Sequence, residues 1–293
     1  MNKMNSDRYS RLRAITEYGY DVDFEDLKTK SVFVVGVGGI GSLSAEMLVR
    51  SGIGKIIVID LDDVGEENLN RVFYRFEDIG RAKAEVCAEK LSQINPECKI
   101  IFYCKDILDS KFENELEKII SNVDLVLMGL DNVPARQYLN VKIVKLNKSM
   151  IDAGALRSGL GGYIHLVVPK KTACYACTGS VKFKTNDARG PQCAASLPTT
   201  IAILASLQTQ SALKFLLNFG KIPDYIQYNA LNDKFIEIVL GRDKTCYVCG
   251  EGPPPDESYF EIIEIEPLET LIKQSEKLEM ELKKQEESFK NKK

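Results

Sequence analysis

A cluster of glycines between an apolar run and a helix-like segment constrains the fold of this chain most strongly. Residues 31–35 (SVFVV) are apolar and mostly β-branched, and they stop abruptly at the sequence GVGGIG of residues 36–41. Residues 40–51 follow with apolar side chains at helical spacing, and residues 55–60 (KIIVID) form a second apolar run. This arrangement predicts a β-strand, a helix and a second, parallel strand.

The same glycines predict a phosphate-binding loop. Gly36, Gly38 and Gly41 fit the pattern G-x-G-x-x-G, and Gly39 lies inside it. Glycines allow the tight turn and the close approach of a phosphate, and the helix that follows presents backbone N–H groups to it. Asp60 ends the second strand, where a carboxylate can bind ribose hydroxyls. A nucleotide site is therefore predicted, with NAD and ATP both open; the alternative is a glycine turn needed only for packing.

Strand-like and helix-like segments continue to alternate along the chain. This pattern predicts an α/β fold of the Rossmann-like, doubly wound type, with a mostly parallel sheet and a C-terminal antiparallel portion. The further predicted helices are residues 81–94, 111–121, 134–147 and 198–219. The further predicted strands are residues 99–103, 124–128, 149–152 and 162–168, with a terminal hairpin at 225–230 and 235–240.

Length and composition limit the organisation of the chain. Its 293 residues would allow about two domains, but no linker-like stretch occurs before Gly250. We therefore expect an N-terminal helical segment (1–30), one α/β domain (31–250) and a tail (251–293). A net charge of −3 gives no electrostatic reason to expect a nucleic acid partner. We also expect no membrane span and no secretory signal, and hence a cytoplasmic protein with reduced or metal-bound cysteines.

Charged residues are predicted to meet the glycine loop at the carboxyl ends of the strands. Asn70 and Arg71 follow the Asp60 turn, Lys83 begins a helix, and Asp131 follows the apolar strand DLVLM. Cations suit phosphate oxygens and a carboxylate suits magnesium, so together these residues favour a triphosphate with Mg²⁺. A hydride-transfer enzyme has less need of them. Taken singly, each could be a solvated surface residue.

The cysteines predict a metal site and include one candidate nucleophile, although spacing alone does not favour a catalytic role for it. Cys174 and Cys177 form one C-x₂-C pair and Cys246 and Cys249 form another, a pattern that matches a tetrahedral structural zinc site. Redox pairs and unpaired core thiols are the alternatives. Cys193 precedes the long apolar helix, and a thiol near a helix N-terminus can be a reactive nucleophile. The chain has only one histidine, so such a thiol would need an electrophile that is already activated, such as an acyl-adenylate.

Several motifs occur in the order found in ubiquitin-like modifier-activating enzymes. They include GVGGIGS, DLDDVGEENLNR, GRAKAE, LDNVPAR, CYAC, CAASLPTT, LKFLLNFG and CYVC. The chain resembles this family over roughly residues 8–249. The resemblance implies that residues 31–250 are an adenylation domain with an embedded catalytic cysteine, and that the enzyme activates a modifier of the ubiquitin-fold type with ATP and Mg²⁺.

The resemblance also assigns roles to residues. It implies ATP on the glycine loop and near Asn70, with Asp60 on the ribose, Arg71 and Lys83 on the phosphates and Asp131 on magnesium. Cys193 would form a thioester with the modifier and pass it to a conjugating enzyme. Arg11 would reach the ATP of the other protomer, which implies a homodimer. The four paired cysteines would be the zinc ligands.

Other functions remain open at this point. The chain could be an adenylyltransferase for a sulfur-carrier protein, of the molybdopterin and thiamine type, which stops at the adenylate or at a persulfide-linked species. It could also be an NAD-binding oxidoreductase, or an idle scaffold. In the tail, residues 259–271 combine apolar and acidic side chains and are either a modifier-binding motif or a disordered acidic segment. Residues 269–289 are a candidate helix for recruiting the conjugating enzyme.

Overall fold

The fold is built on one sheet of eight strands. A computed structural model describes residues 8–178, 195 and 197–251. The strand order is β3-β2-β1-β4-β5-β6-β7-β8. The strands are β1 (Ser31–Val35), β2 (Lys55–Ile59), β3 (Lys99–Tyr103), β4 (Leu125–Met128), β5 (Met150–Ala155), β6 (Gly161–Val167), β7 (Tyr225–Asn229) and β8 (Lys234–Ile238). The first five strands run parallel, and β6, β7 and β8 are antiparallel to their neighbours.

Helices cover both faces of the sheet. They are α1 (Ser10–Glu17), α2 (Gly39–Ser51), α3 (Lys83–Ile94), α4 (Glu113–Ser121), α5 (Val133–Lys145) and α6 (Pro198–Leu217). One core cluster joins the sheet to α2, α3 and α6, and a second joins it to α4 and α5. All five residues of β1 are buried, as expected for a parallel strand that is covered on both faces. The predicted α/β fold with a C-terminal antiparallel portion is confirmed.

Strand β5 is longer than the sequence predicts. The expected strand stops at residue 152, whereas the observed strand continues through Ala155. The extra residues pair with the antiparallel strand β6, where Gly154 lies opposite Tyr163 and Ala155 opposite Gly162. A glycine beside alanines carries no strand signal, and only the neighbouring strand makes these residues extended.

Helix α6 is a core helix with an apolar composition. By length and composition alone it could cross a membrane, with a mean hydropathy of 1.2. However, it packs against α2, β5 and β6, and Leu204 and Ala205 have no exposed surface. Gln208, also fully buried, donates from Nε2 to the carbonyls of Met128 (3.0 Å) and Ile151 (2.9 Å). These contacts fix α6 to the carboxyl end of β4 and to the second residue of β5.

Helix α1 is attached at the end of the sheet where the parallel strands begin, which is opposite the end that carries the glycine loop. Tyr9, which precedes it, accepts a hydrogen bond from Asn95 Nδ2 at 2.8 Å and lies against Gly52 at the end of α2. Arg8 donates to the carbonyl of Ile94 at 3.0 Å, at the end of α3. Helix α1 therefore lies near the C-terminal ends of α2 and α3.

Candidate nucleotide and metal sites

The glycine loop is shaped by direct contact between backbones. Gly36 has a φ of +83°, a conformation that glycine adopts at little cost. A Cβ atom on Gly41 would lie 1.9 Å from the carbonyl oxygen of Gly36, and a Cβ on Gly36 would lie 3.0 Å from the carbonyl oxygen of Gly129. The loop therefore packs closely on itself and on the end of β4. Gly38 differs, because a Cβ there would meet nothing within 4 Å, so its open side faces space that a phosphate can fill.

Asp60 lies where the sequence predicts it, against the glycine loop. Its carboxylate accepts the backbone N–H of Val37 at 2.8 Å and that of Asp62 at 3.0 Å. Burial raises the pKa of Asp60, although the N–H of Asp62 and the charge of Lys83 oppose the shift. A carboxylate has about four lone-pair positions, so two acceptor positions stay available for the hydroxyls of a ribose.

Lys83 lies at the start of α3 beside this carboxylate. Its side chain is mostly buried, and its Nζ forms an ion pair with Asp62 at 2.9 Å. Tyr74 joins the same region to the loop, because its buried hydroxyl donates to the carbonyl of Val37 at 2.5 Å. Neither Asp62 nor Tyr74 was predicted from the sequence. The spacing D-x-D at residues 60–62 was an available signal for Asp62, whereas nothing in the sequence indicates the contact of Tyr74.

Arg71 lies over the glycine loop. A Cβ on Gly39 would be 3.0 Å from Arg71 Cδ and 2.9 Å from Ile201 Cγ2, so the arginine and the first turn of α6 meet at the loop. Arg71 ends a short 3₁₀ helix that also contains Asn70. Val72 follows with a φ of +68°, and the N–H of Phe73 donates to the carbonyl of Arg71 at 2.8 Å. This is a γ-turn of the strained type, immediately after a predicted phosphate-binding residue.

Asp131 lies just beyond the end of β4. Gly129 contacts the glycine loop, and Asp131 is two residues further along the chain. Its side chain is exposed and makes no hydrogen bond or ion pair with residues in the described part of the chain. Asn132 is the N-cap residue of α5, and its side chain accepts the N–H of Ala135 at 2.9 Å. Among the described residues Asp131 is thus a carboxylate without a cation partner, at the edge of the sheet that carries the glycine loop.

Arg11 does not join these residues within one chain. It is exposed on α1, and α1 is anchored near the C-terminal end of α2, whereas the glycine loop lies at the N-terminal end of that helix. The 13 residues of α2 span about 20 Å. Arg11 therefore lies too far from the loop to contact a nucleotide bound by its own chain.

The four paired cysteines form one cluster. The Sγ atom of Cys174 lies 3.8 Å from that of Cys177 and 3.7 Å from that of Cys246, and Cys177 lies 3.3 Å from Cys249. All four sulfurs are within 4.8 Å of one another. Zinc–sulfur bonds of about 2.3 Å place the sulfurs of a tetrahedron about 3.8 Å apart. The cluster therefore fits a metal ion of this type.

A neighbouring amide supports the cysteine cluster. Asn140 on α5 lies with its Nδ2 3.7 Å from Cys174 Sγ, and its Oδ1 accepts the N–H of Tyr175 at 2.9 Å. Such outer contacts orient ligating side chains. Asn140 was not predicted from the sequence, because it lies 34 residues before the cysteine that it contacts.

Cys193 lies outside the described residues. The chain is described again at Ala195 and from Leu197, which is the N-cap residue of α6, with Pro198 in the first turn. Ile201 in that turn contacts the glycine loop, as described above. Cys193 lies four positions before Leu197, and such a length of chain spans at most about 14 Å. The role of Cys193 stays a prediction.

Comparison with known proteins identifies the class of protein. The sequence model of the ThiF family matches residues 9–248, and the chain belongs to this family. The ubiquitin-like modifier-activating enzyme 5 of Drosophila virilis is 40% identical over 256 residues, which cover 83% of this chain and 64% of that protein. The enzyme of the same name from Aedes aegypti is 39% identical over 257 residues, with the same coverage. The chain thus spans 64% of the length of these relatives.

Solved structures of E. coli MccB have the same fold. The structure of MccB with ATP superposes with a TM-score of 0.71 at 27% identity, and covers 85% of this chain and 76% of that chain. The microcin C7 biosynthetic enzyme MccB in complex with N-formylated MccA gives a TM-score of 0.72 at 27% identity, covering 84% of this chain and 76% of that chain. One of these MccB structures contains ATP, and the other contains N-formylated MccA.

Proposed function

We propose that the chain is an ATP-dependent activating enzyme for a ubiquitin-like modifier of the ubiquitin-fold type. The observation that carries this proposal is the meeting of Asp60, Lys83 and Arg71 at one glycine loop, in a member of the ThiF family whose relatives are named modifier-activating enzymes. An acceptor for ribose and two cations for phosphates suit ATP better than NAD. The oxidoreductase hypothesis has no comparable support.

The first chemical step is adenylation of the modifier. A carboxylate oxygen of its C-terminal glycine attacks the α-phosphorus of ATP, the bond to the β-phosphate breaks, and pyrophosphate leaves. Arg71 and Lys83 offset the negative charge on the phosphate oxygens, and Asp131 is the residue that would hold Mg²⁺. Magnesium, when bound, neutralises phosphate charge during such a transfer.

The second step moves the acyl group to Cys193. Its sulfur attacks the carbonyl carbon of the acyl-adenylate, AMP leaves with the bonding electrons, and the thiol proton passes to solvent. The modifier then passes to a cysteine of a conjugating enzyme. A sulfur-carrier adenylyltransferase would stop before this thioester, which is why the fate of the acyl group separates the two functions.

We further propose zinc as the ion of the cysteine cluster and a homodimer as the assembly. A zinc ion bound by Cys174, Cys177, Cys246 and Cys249 would have a structural role, since four thiolates leave no open position for a substrate. The dimer is supported by the position of Arg11, which is remote from the glycine loop of its own chain. A cytoplasmic location agrees with thiols that stay reduced or bound to metal.

Exchange of pyrophosphate into ATP tests the adenylation step. We expect the wild-type protein to catalyse this exchange only when Mg²⁺ and a ubiquitin-fold modifier with a C-terminal glycine are present. Lys83→Gln should lower the exchange rate by about 100-fold, the size of effect seen when one charge-stabilising donor is lost, and Asp131→Ala should abolish it. Lys118→Gln, an exposed lysine on α4, is the matched control and should exchange normally. Exchange that does not need the modifier, or that survives in Asp131→Ala, would contradict the proposal.

A further inference from the structure

A buried charged cluster lies directly beneath the turn that carries Asp131. Arg136 in α5 is 6% exposed and Asp152 in β5 is fully buried, and the two form an ion pair. Removing two charges from water is costly, and such a pair persists only where further hydrogen bonds satisfy both groups. The partners of this pair therefore indicate what it holds in place.

The guanidinium of Arg136 bridges three elements. Its Nη1 donates to Asp152 and to the hydroxyl of Tyr163, the latter at 2.9 Å. Its Nη2 donates to the carbonyl of Leu130 and to that of Ala153, the latter at 3.1 Å. One side chain thus connects β5, β6 and the turn between β4 and α5.

The contact with Leu130 acts on Asp131 directly. The carbonyl of Leu130 belongs to the peptide unit that ends at the Cα atom of Asp131, and that unit is planar. A guanidinium that fixes the direction of this carbonyl therefore also fixes the backbone N and Cα atoms of Asp131. On the other side of the turn, the side chain of Asn132 caps α5. The exposed carboxylate of Asp131 is therefore carried by a turn that is fixed on both sides.

Tyr163 extends this arrangement into the antiparallel part of the sheet. Its hydroxyl donates to Asp152 at 3.1 Å, and its ring stacks on that of Tyr225 with a centroid distance of 5.5 Å. A Cβ on Gly154 would lie 2.8 Å from the Tyr163 ring, so the ring packs against the β5 backbone. Strands β6 and β7 thereby support the position of Arg136.

We propose that Arg136, held by Asp152 and Tyr163, is a positioning residue that sets the β4–α5 turn so that Asp131 can hold magnesium. This rests on the proposed function, in which Asp131 is the magnesium ligand. The guanidinium of Arg136 reaches this turn through the carbonyl of Leu130, so its effect on Asp131 is indirect. Its loss should therefore weaken the response to magnesium more than the reaction at saturating magnesium.

Magnesium titration of pyrophosphate exchange tests the proposal. Arg136→Lys keeps a positive charge next to Asp152 but loses the planar fork that reaches Leu130. We expect it to raise the half-saturating free Mg²⁺ concentration by about 10-fold, with the rate at saturation within about twofold of wild type. Tyr163→Phe removes only one hydroxyl and should raise the half-saturating Mg²⁺ concentration by about threefold.

Lys142→Gln is the matched control. Lys142 is a buried cation on the same helix, but it pairs with Glu113 and Glu117 on α4, away from the turn. This variant should lose thermal stability while its magnesium response stays unchanged. If the Arg136 and Tyr163 variants also lose only stability, or lose rate equally at all magnesium concentrations, the positioning role is wrong.

Amide hydrogen exchange keeps this test independent of the proposed function. Peptides covering residues 129–135 should exchange at least about threefold faster in Arg136→Lys and Tyr163→Phe than in wild type, and at the wild-type rate in Lys142→Gln. If wild type shows no pyrophosphate exchange but the amides respond in this way, the proposed function fails and the positioning of the turn stands. Unchanged amide exchange in both variants would overturn the positioning role.

Discussion

Two glycines of the nucleotide loop have different physical reasons to be glycine. Gly41 has no room for a side chain, because a Cβ would lie 1.9 Å from the Gly36 carbonyl oxygen. Gly38 has a φ of −65°, which other residues adopt, and its Cβ position is open. Gly41 is therefore required by the fold, whereas Gly38 is required only if a ligand occupies the open space.

Alanine at each position separates these reasons. Gly41→Ala should lower the free energy of unfolding by about 3 kcal/mol or more, since backbone atoms must shift. Gly38→Ala should lower the free energy of unfolding by about 1 kcal/mol or less. This variant should nevertheless lose the increase in melting temperature that ATP gives to the wild-type protein. Thermal denaturation with and without ATP measures both effects. A Gly38→Ala protein that ATP stabilises as strongly as wild type would show that the phosphate does not lie at this glycine.

The sequence predicts which residues lie near the glycine loop better than it predicts which side chains they contact. Asp60, Arg71 and Lys83 all lie near the glycine loop, because strand ends and helix starts of an α/β fold meet at one edge. The partners Asp62 and Tyr74 were missed. A hydrogen bond from a tyrosine to a loop carbonyl 37 residues earlier depends on tertiary packing and leaves no local pattern.

At the scale of elements, the cysteine cluster joins two segments that the sheet alone does not connect. Cys174 and Cys177 follow β6, whereas Cys246 and Cys249 follow β8. The spacing of the two pairs was enough to predict that they meet. The length of β5 was not predictable, because its last residues are extended only through pairing with β6.

Metal removal tests the role of this cluster. We expect metal analysis of the purified protein to find one zinc ion per chain, and a chelator to lower the melting temperature by about 10 °C or more, because metal binding contributes to folding free energy. Cys246→Ser should lose the ion and show the same decrease. Cys104→Ser, at an exposed cysteine outside the cluster, should keep both the ion and the wild-type melting temperature. Protein that contains no metal and does not respond to the chelator would contradict the assignment.

At the scale of the whole molecule, the position of Arg11 bears on the assembly. Within its own chain, α1 is anchored beside Gly52 and Asn95, at the far end of α2 from the glycine loop. The sequence could assign Arg11 to a nucleotide only through resemblance, because neither its spacing nor its charge indicates a site. The fold adds the physical reason that a second chain would have to provide that site.

Mixing two inactive variants tests this arrangement. Arg11→Ala and Asp131→Ala should each lose modifier-dependent pyrophosphate exchange in the homodimer. After unfolding and refolding together, half of the dimers should be mixed, and each mixed dimer should contain one intact site built from both chains. About a quarter of the wild-type rate should therefore return. No recovery, in dimers shown to be mixed, would mean that Arg11 does not act across the dimer.

We expect the chain to activate a ubiquitin-like modifier and to carry it on Cys193. The most direct measurement is a non-reducing gel of the protein incubated with ATP, Mg²⁺ and a ubiquitin-fold modifier, with mass spectrometry of any adduct. We predict an ATP-dependent adduct of one modifier per chain, which reductant releases. The Cys193→Ala variant should form no adduct but should still catalyse pyrophosphate exchange. An adduct that persists in Cys193→Ala, or wild-type protein that exchanges pyrophosphate without ever forming the adduct, would contradict the claim.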